Sequence, residues 1–243
     1  YSFHSRRPSA IPLSALVEDV ERELDHLCSL SFQRHELDYL RGLRFIKSDF
    51  IDFLRIFRFQ RDFITVRPVG TELEIVARGP QVHVMAFEIF VLAIVNELYF
   101  RRFPAEVAQA EGRRRLAAKI EVLRAFEREP SRAHPFEMFD FGLRRRFSFD
   151  WQREVVDTFR TQLPQFFKGT SNVRIAKELG LVPIGTMAHE YFQSFQALGV
   201  RLRDSQKAAL ESWVQEYRGD LGIALTDVIC MDAFLADFDL YFA

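Results

Sequence analysis

Four polar segments of the sequence combine residue types that bind phosphate or transfer a phosphoryl group. They are residues 140–148, 168–172, 185–190 and 226–227. Arginine and lysine side chains, together with the free N–H groups at helix N-termini, bind anionic phosphates. Each segment follows a short apolar run and precedes a predicted helix. We therefore expect all four to open on one edge of a parallel sheet and to form a binding site there.

His189 is the residue in these segments best suited to covalent chemistry. It lies in the first turn of a helix predicted to begin near Ala188, where the helix dipole favours negative charge. A neutral imidazole at that position is a competent nucleophile, and a phosphate carried on it would be stabilised by the helix end. The alternative is a histidine that caps the helix or donates a hydrogen bond in the core.

The elements that must position these segments alternate between strand and helix. Short apolar strands are predicted over residues 136–139, 165–167, 182–184 and 221–225, with helices between them. This alternation is typical of parallel β/α units. An open doubly wound sheet also fits, but half of a barrel is favoured because each strand ends in a polar loop. The predicted class is α/β, an incomplete irregular α/β barrel with an N-terminal α+β domain.

Three regions are predicted along the chain. Residues 1–105 form an N-terminal α+β domain, truncated at its start, with a hairpin around residues 68–71 and a mostly apolar helix over residues 87–101. Residues 106–130 are a helical connection, and residues 131–243 are the first half of the barrel. The lack of an initiator Met indicates an internal piece of a longer polypeptide.

Charge and cysteine content exclude several classes of protein. Lys and Arg total 33 against 34 for Asp and Glu, which gives a net charge of −1 and argues against binding nucleic acid by bulk charge. An RNA-binding domain that uses the arginine runs 113–115 and 144–146 conflicts with this balance. The distant Cys28 and Cys230 disfavour a disulfide framework or a structural zinc site and favour a cytoplasmic location. The longest apolar run is shorter than a membrane-spanning helix, which needs about 20 residues, so no membrane partner is expected.

The polar segments, in their order, resemble those of nicotinate phosphoribosyltransferases, which are type II phosphoribosyltransferases. The matching stretches are Asp140-Phe141-Gly142-x-Arg144-Arg145, Gly169-Thr170-Ser171-Asn172, Gly185-Thr186-x-Ala188-His189-Glu190 and Leu225-Thr226-Asp227. The stretch over residues 88–97 also resembles the family. The resemblance implies an irregular α/β barrel packed against a separate α+β domain.

The resemblance also implies a reaction. Nicotinate would be joined to phosphoribosyl pyrophosphate (PRPP) to give nicotinate mononucleotide and pyrophosphate, with coupled ATP hydrolysis, at the entry of the salvage route to NAD. It further implies ATP as a co-substrate, Mg²⁺, and a homodimer whose subunits share the active site.

Individual roles follow from the same resemblance. His189 would be autophosphorylated by ATP, Arg144 and Arg145 would meet the PRPP phosphates, and Asp227 would lie on the ribose side. Phe141 would stack on the pyridine ring, with Ser171 and Thr186 beside it. A nicotinamide-specific relative would carry Asp at the position of Ser171. An Asp there would repel a carboxylate, so serine is consistent with the acid substrate.

Two alternatives stay open, a non-catalytic homologue that acts as an interaction or regulatory module and a nicotinamide-preferring transferase. Intact His189, Thr186 and Arg144 argue against the first, and Ser171 argues against the second. The family's N-terminal Asp-x-Tyr-Lys segment, its Asp-Ser-Gly-Asp segment and its glycine-rich phosphate loop are not in this sequence. We therefore predict that the fragment by itself is inactive.

Overall fold

The structure, a computed structural model, describes residues 1–5, 9–127 and 136–242. The chain forms two compact units. Unit 1 comprises Tyr1–Tyr39 and Asp52–Pro183, and unit 2 comprises Leu40–Ile51 and Ile184–Ala243. The predicted boundary between residues 130 and 131 lies outside the described residues, and the three predicted regions stay a prediction.

Unit 1 begins with a small antiparallel sheet and the helices around it. Strands β1 (Ser2–Phe3), β2 (Ile64–Val69) and β3 (Glu72–Ala77) lie in the order β1-β3-β2, which confirms the predicted hairpin. Its turn contains Gly70 at φ +60°, a conformation that glycine adopts without steric cost. Helix α1 (Val17–Ser29) buries Val20, Leu24 and Leu27 from one face. Helices α2 (Arg34–Arg41) and α3 (Ser48–Ile56) follow and cross the boundary between the units.

Helix α4 (Gln81–Phe100) is the main core helix beside this sheet. By length and composition it could cross a membrane. Its Phe87, Val91 and Val95 side chains, however, pack with the sheet and α1 in one hydrophobic cluster, which accounts for its apolar character. The apolar helix predicted over residues 87–101 begins earlier, at Gln81, and it is not buried on every side, because Ile89 and Phe90 are exposed. Helix α5 (Ala105–Glu127) follows it.

A parallel sheet completes unit 1. Strands β4 (Met138–Asp140), β5 (Phe167–Thr170) and β6 (Val182–Pro183) pair in sequential order through helices α6 (Phe149–Gln162) and α7 (Val173–Leu179). Sequential parallel strands joined by helices are the repeating unit of an α/β barrel. Asp140 pairs in register with Thr170, and Thr170 pairs with Pro183. The carboxyl ends of the three strands are therefore level.

The prediction for the middle strand is displaced along the chain. The sequence predicts the strand over residues 165–167, but β5 begins at Phe167, so Lys168, Gly169 and Thr170 belong to the strand rather than to a loop. The reason is that β5 is central and pairs on both edges, and its Gly169 and Thr170 are buried. Gly169 and Thr170 carry no large apolar side chain, so a pattern of apolar residues does not mark them as part of a strand.

Unit 2 is helical in the described residues. Helices α8 (His189–Phe195), α9 (Ser205–Tyr217) and α10 (Met231–Asp237) share a core built around Phe192, Leu210, Trp213 and Phe234. The strand predicted over residues 221–225 is wrong. Leu221 adopts φ +52°, which no strand accommodates, and its carbonyl accepts a hydrogen bond from the Trp213 indole instead of a ladder partner.

Candidate functional site

Asp140 is the centre of a polar network at the strand ends of unit 1. One of its carboxylate oxygens accepts hydrogen bonds from Gln152 Nε2 at 2.8 Å and from Thr170 Oγ1 at 2.7 Å. The other oxygen accepts the Gly142 backbone N–H at 3.0 Å. A Cβ at Gly142 would come within 2.9 Å of that oxygen, so the turn after β4 requires glycine there.

The network continues through buried amide side chains to helix α7. Gln152 is only 3% exposed, and its Oε1 accepts a hydrogen bond from Asn172 Nδ2 at 3.1 Å. Asn172 in turn caps α7 by accepting the Ile175 N–H at 3.2 Å, while its own N–H donates to Thr170 Oγ1. Buried polar groups that satisfy one another in this way rigidify the backbone around them.

The network fixes the backbone that carries two of the predicted substrate-binding residues. Phe141 directly follows Asp140, and the Ser171 N–H donates to the Asp140 carbonyl at 2.8 Å. The Phe141 ring is 48% exposed, and the Ser171 hydroxyl has no hydrogen-bond partner among the described residues. The structure therefore brings Phe141 and Ser171 to neighbouring strand ends with both side chains available to a ligand.

The predicted phosphate-binding arginines lie just beyond Phe141, in a turn that we call the arginine turn (residues 143–146). Arg144 forms an ion pair with Glu88 of α4, and Arg146 approaches Glu97 of α4 at 3.5 Å. Arg145 is exposed and makes no ion pair with any described residue. Among the described residues, the Arg145 guanidinium therefore has no ion-pair partner. The Arg144 guanidinium is half-exposed beside the Glu88 carboxylate.

His189 and Asp227 form the second group, in unit 2. His189 is the first residue of α8, as predicted, after Ala188 in extended conformation at the N-cap. Its Nε2 lies 3.0 Å from Asp227 Oδ1, and both side chains are accessible to solvent. If Nε2 carries the proton and donates it to the carboxylate, Nδ1 retains a lone pair and is the nucleophilic nitrogen.

Helix α8 is anchored to α9 by an aromatic side chain two residues after His189. The Tyr191 hydroxyl donates to the Ala209 carbonyl at 2.9 Å, and its ring packs on Trp213. Burial raises the pKa of Tyr191 to about 12, and the charges of the nearby Tyr217 and Glu216 act in the same direction. The phenol therefore remains a neutral donor at any physiological pH.

Thr186 precedes α8, and its hydroxyl donates to the Met187 carbonyl at 3.1 Å. The predicted site residues thus form two groups, each within one unit. Unit 1 carries Phe141, Arg144, Arg145 and Ser171, and unit 2 carries Thr186, His189 and Asp227. The position of Asp227 on the ribose side stays a prediction. The His189 ring is a partner of the Asp227 carboxylate that the sequence did not indicate.

Sequence reasoning also missed Gln152 and Glu88. Gln152 occupies a buried position of an otherwise amphipathic helix, and a buried polar residue signals a hydrogen-bond network. Glu88 stands in the most apolar helix of the chain, where an isolated charge is a comparable signal. Neither signal identifies the residue with which Gln152 or Glu88 interacts, because that residue lies far away in the sequence.

A binding site for the implied Mg²⁺ is not formed by these side chains alone. Within residues 1–5, 9–127 and 136–242, no three His, Cys, Asp or Glu side chains converge as metal ligands. Mg²⁺ commonly uses one or two carboxylates together with substrate phosphates, so any Mg²⁺ here would take most of its ligands from the substrates.

Comparison with known proteins identifies the class and then the family. Crystal structures of nicotinate phosphoribosyltransferases from Vibrio cholerae and Porphyromonas gingivalis each match 99% of the chain at a TM-score of 0.83, with 34% and 30% sequence identity. The chain covers 56% and 60% of those two chains. The N-terminal α+β region and the sequential parallel β/α units therefore have the fold of the type II phosphoribosyltransferases. This chain contains part of that fold.

Sequence profiles give the family. The profile of the nicotinate phosphoribosyltransferase (NAPRTase) family matches residues 136–243, and the profile of its N-terminal domain matches residues 1–96. A curated nicotinate phosphoribosyltransferase of Herminiimonas arsenicoxydans is 67% identical over 243 residues, which are 100% of this chain and 61% of that protein. The chain belongs to the nicotinate phosphoribosyltransferase family. It spans about three fifths of the length of the curated relatives it matches.

Proposed function

We propose that the protein containing this chain joins nicotinate to PRPP, with release of pyrophosphate and coupled hydrolysis of ATP. The observation that carries the proposal is the pairing of an exposed aromatic ring and a free hydroxyl at adjacent strand ends, followed directly by two accessible arginines. The names of the relatives, at up to 67% identity, support the same assignment.

The strand-end group of unit 1 suits the two substrates of the transfer. Phe141 offers a ring face for a pyridine, and Ser171 is a neutral donor that tolerates the nicotinate carboxylate. The ring nitrogen of nicotinate attacks the anomeric carbon of PRPP while the bond to pyrophosphate breaks. Arg144 and Arg145 stabilise the negative charge that the departing pyrophosphate gains.

The His189–Asp227 pair of unit 2 suits a phosphoryl transfer from ATP. The Nδ1 lone pair forms a bond to the γ-phosphorus, the bond to the bridging oxygen breaks, and ADP leaves with that electron pair. The ring keeps the proton on Nε2 and becomes positively charged, which the Asp227 carboxylate 3.0 Å away stabilises. The phosphohistidine is hydrolysed later in the cycle, which couples ATP to the synthesis.

We include in this proposal the other properties that the resemblance to the family implies. They are ATP as co-substrate, Mg²⁺ carried by the phosphates of the substrates, a homodimer with a shared active site and a cytoplasmic location. Small anionic substrates, rather than nucleic acid, are the expected partners, since the chain carries a net charge of −1.

The decisive experiment supplies the full-length protein with nicotinate, PRPP and ATP and measures nicotinate mononucleotide by chromatography. In parallel, ATP labelled at the γ-phosphate measures phosphate incorporation into the protein. His189→Ala should abolish incorporation, because it removes the imidazole that is the proposed nucleophile. Asp227→Asn should slow incorporation about tenfold, since an amide stabilises the charged ring less than a carboxylate does.

The matched control is His26→Ala, which removes an exposed histidine of α1 and should leave both measurements at the wild-type level. Phosphate incorporation that survives in His189→Ala would remove His189 from its role. A wild-type protein that forms no nicotinate mononucleotide would favour the non-catalytic homologue. A wild-type protein that prefers nicotinamide would favour the nicotinamide-specific transferase.

A further inference from the structure

Helix α4 contacts the arginine turn with three polar side chains, although it is otherwise the apolar core helix of unit 1. Glu88 pairs with the Arg144 guanidinium, and Asn96 Nδ2 donates to the Arg144 backbone carbonyl at 3.1 Å. Glu97 approaches Arg146 at 3.5 Å. The turn is therefore attached to α4 by both its side chains and its backbone.

Two of these residues, Glu88 and Asn96, lie toward one side of the helix, whereas Glu97, nine residues after Glu88, lies about half a turn away around the helix axis. Glu88 and Asn96 are eight residues apart, which is about 12 Å along an α-helix, and residues at such multiples of four share a face. Asn96 also donates to the Leu92 carbonyl at 2.8 Å, one turn earlier on the same face. Phe87, Val91 and Val95 fix the helix in the core from its buried side. The polar side is therefore presented to the turn by a rigid element.

The ion pair with Glu88 leaves Arg144 able to bind a ligand. Only its Nη1 donates to Glu88, so the Nε and Nη2 donors have no partner among the described residues, and the side chain is 49% exposed. Glu88 itself is 19% exposed, which makes it the more fixed member of the pair. A guanidinium held along one edge by a carboxylate has fewer rotamers to lose when its other edge meets a phosphate.

We infer that Glu88 and Asn96 are positioning residues of the PRPP site, which set the orientation of Arg144 toward the PRPP phosphates. Glu88 orients the guanidinium, and Asn96 fixes the backbone from which Arg144 and Arg145 project. The inference rests on the proposed function, because it assumes that Arg144 meets a phosphate of PRPP. Through Glu88 and Asn96 of α4, the N-terminal α+β region then sets the affinity of the site for PRPP.

The test measures the dissociation constant of PRPP by titration calorimetry, and the KM for PRPP and for nicotinate, in the full-length protein. Glu88→Gln and Asn96→Ala should each weaken PRPP binding about tenfold, with the KM for nicotinate and the melting temperature unchanged. Glu88→Asp keeps the charge and should recover part of the affinity. The control Glu74→Gln removes the carboxylate from another Arg–Glu pair of similar exposure, with Arg67, and should change none of these values.

A double-mutant comparison separates positioning from a merely structural role. If Glu88 acts through Arg144, then Glu88→Gln should weaken PRPP binding no further in an Arg144→Ala background. Additive losses, equal losses for PRPP and nicotinate, or unchanged PRPP affinity in both single variants would each overturn the inference. A wild-type protein that binds PRPP and makes product while the variants match it refutes only the inference. A wild-type protein that does not bind PRPP refutes the proposed function and the inference together.

Discussion

At the scale of single residues, the environment of each side chain decides which chemistry it can perform. The Ser171 hydroxyl has no partner among the described residues, whereas the Thr170 hydroxyl beside it is used by Asp140. Likewise, His189 is exposed and paired with a carboxylate, whereas His83 is packed between the rings of Phe57 and Phe63. Neighbours in sequence, or residues of one type, thus divide into groups that are available to a ligand and groups that are used by contacts within the fold.

Ser171→Asp tests the specificity of the proposed substrate site. A carboxylate at this position would repel the nicotinate carboxylate, so kcat/KM for nicotinate should fall about 100-fold in the full-length protein. Ser171→Asn has a side chain of similar size without the charge and should lose much less. An unchanged kcat/KM for Ser171→Asp would contradict the argument from the carboxylate.

At the scale of elements, most helices and the hairpin follow from the sequence, and the errors have physical causes. Ser148 and Asn172 are residue types that favour the N-cap position and indicate where helices α6 and α7 begin. In the structure, each accepts a backbone N–H of the first turn. The predicted strand at β5 ends too early because Lys168, Gly169 and Thr170, which complete the strand, are not large apolar residues. The apolar content of residues 221–225 predicts a strand, but the backbone conformation of Leu221 is not visible in a pattern of apolar residues.

Asp140→Asn tests the network that joins β4, β5, α6 and α7. The Asp140 carboxylate accepts three hydrogen bonds, and an amide would turn a donor toward one of these donors. We expect the free energy of unfolding to fall by about 1–3 kcal/mol, as measured by urea denaturation of the full-length protein. The control Asp157→Asn breaks only an exposed pair with Arg160 on α6 and should cost about 0.5 kcal/mol or less. Equal losses in the two variants would show that the network contributes nothing beyond surface charge.

At the scale of the whole molecule, many charged side chains of the described residues are held in ion pairs, and the arginine run over residues 113–115 is an example. Each arginine of the run over residues 113–115 pairs with a glutamate, Arg113 with Glu154 and the other two with Glu111. Hydrogen bonds from Arg114 and Arg115 lower the pKa of Glu111 to about 2, so these pairs persist at neutral pH. The run is therefore a solvent-exposed helix face whose three guanidinium groups are held by two carboxylates.

This charge distribution predicts that the full-length protein does not retain RNA in a salt-dependent manner. In a filter-retention assay, binding should be absent at about 100 mM salt, since few phosphates could be neutralised. The double variant Glu111→Gln, Glu154→Gln releases all three arginines and should bind measurably more RNA at low salt. Wild-type retention that declines steeply with rising salt would contradict the prediction and revive the RNA-binding alternative.

The class of fold and the family can be inferred from the amino-acid sequence, because caps, periodicity and short motifs are local properties of the chain. The tertiary structure alone decided the partners. It joined Asp140 to Gln152, Arg144 to Glu88 and His189 to Asp227, pairs separated by 12, 56 and 38 positions. No local pattern specifies such a pair, since the two members meet only when packing brings their elements together.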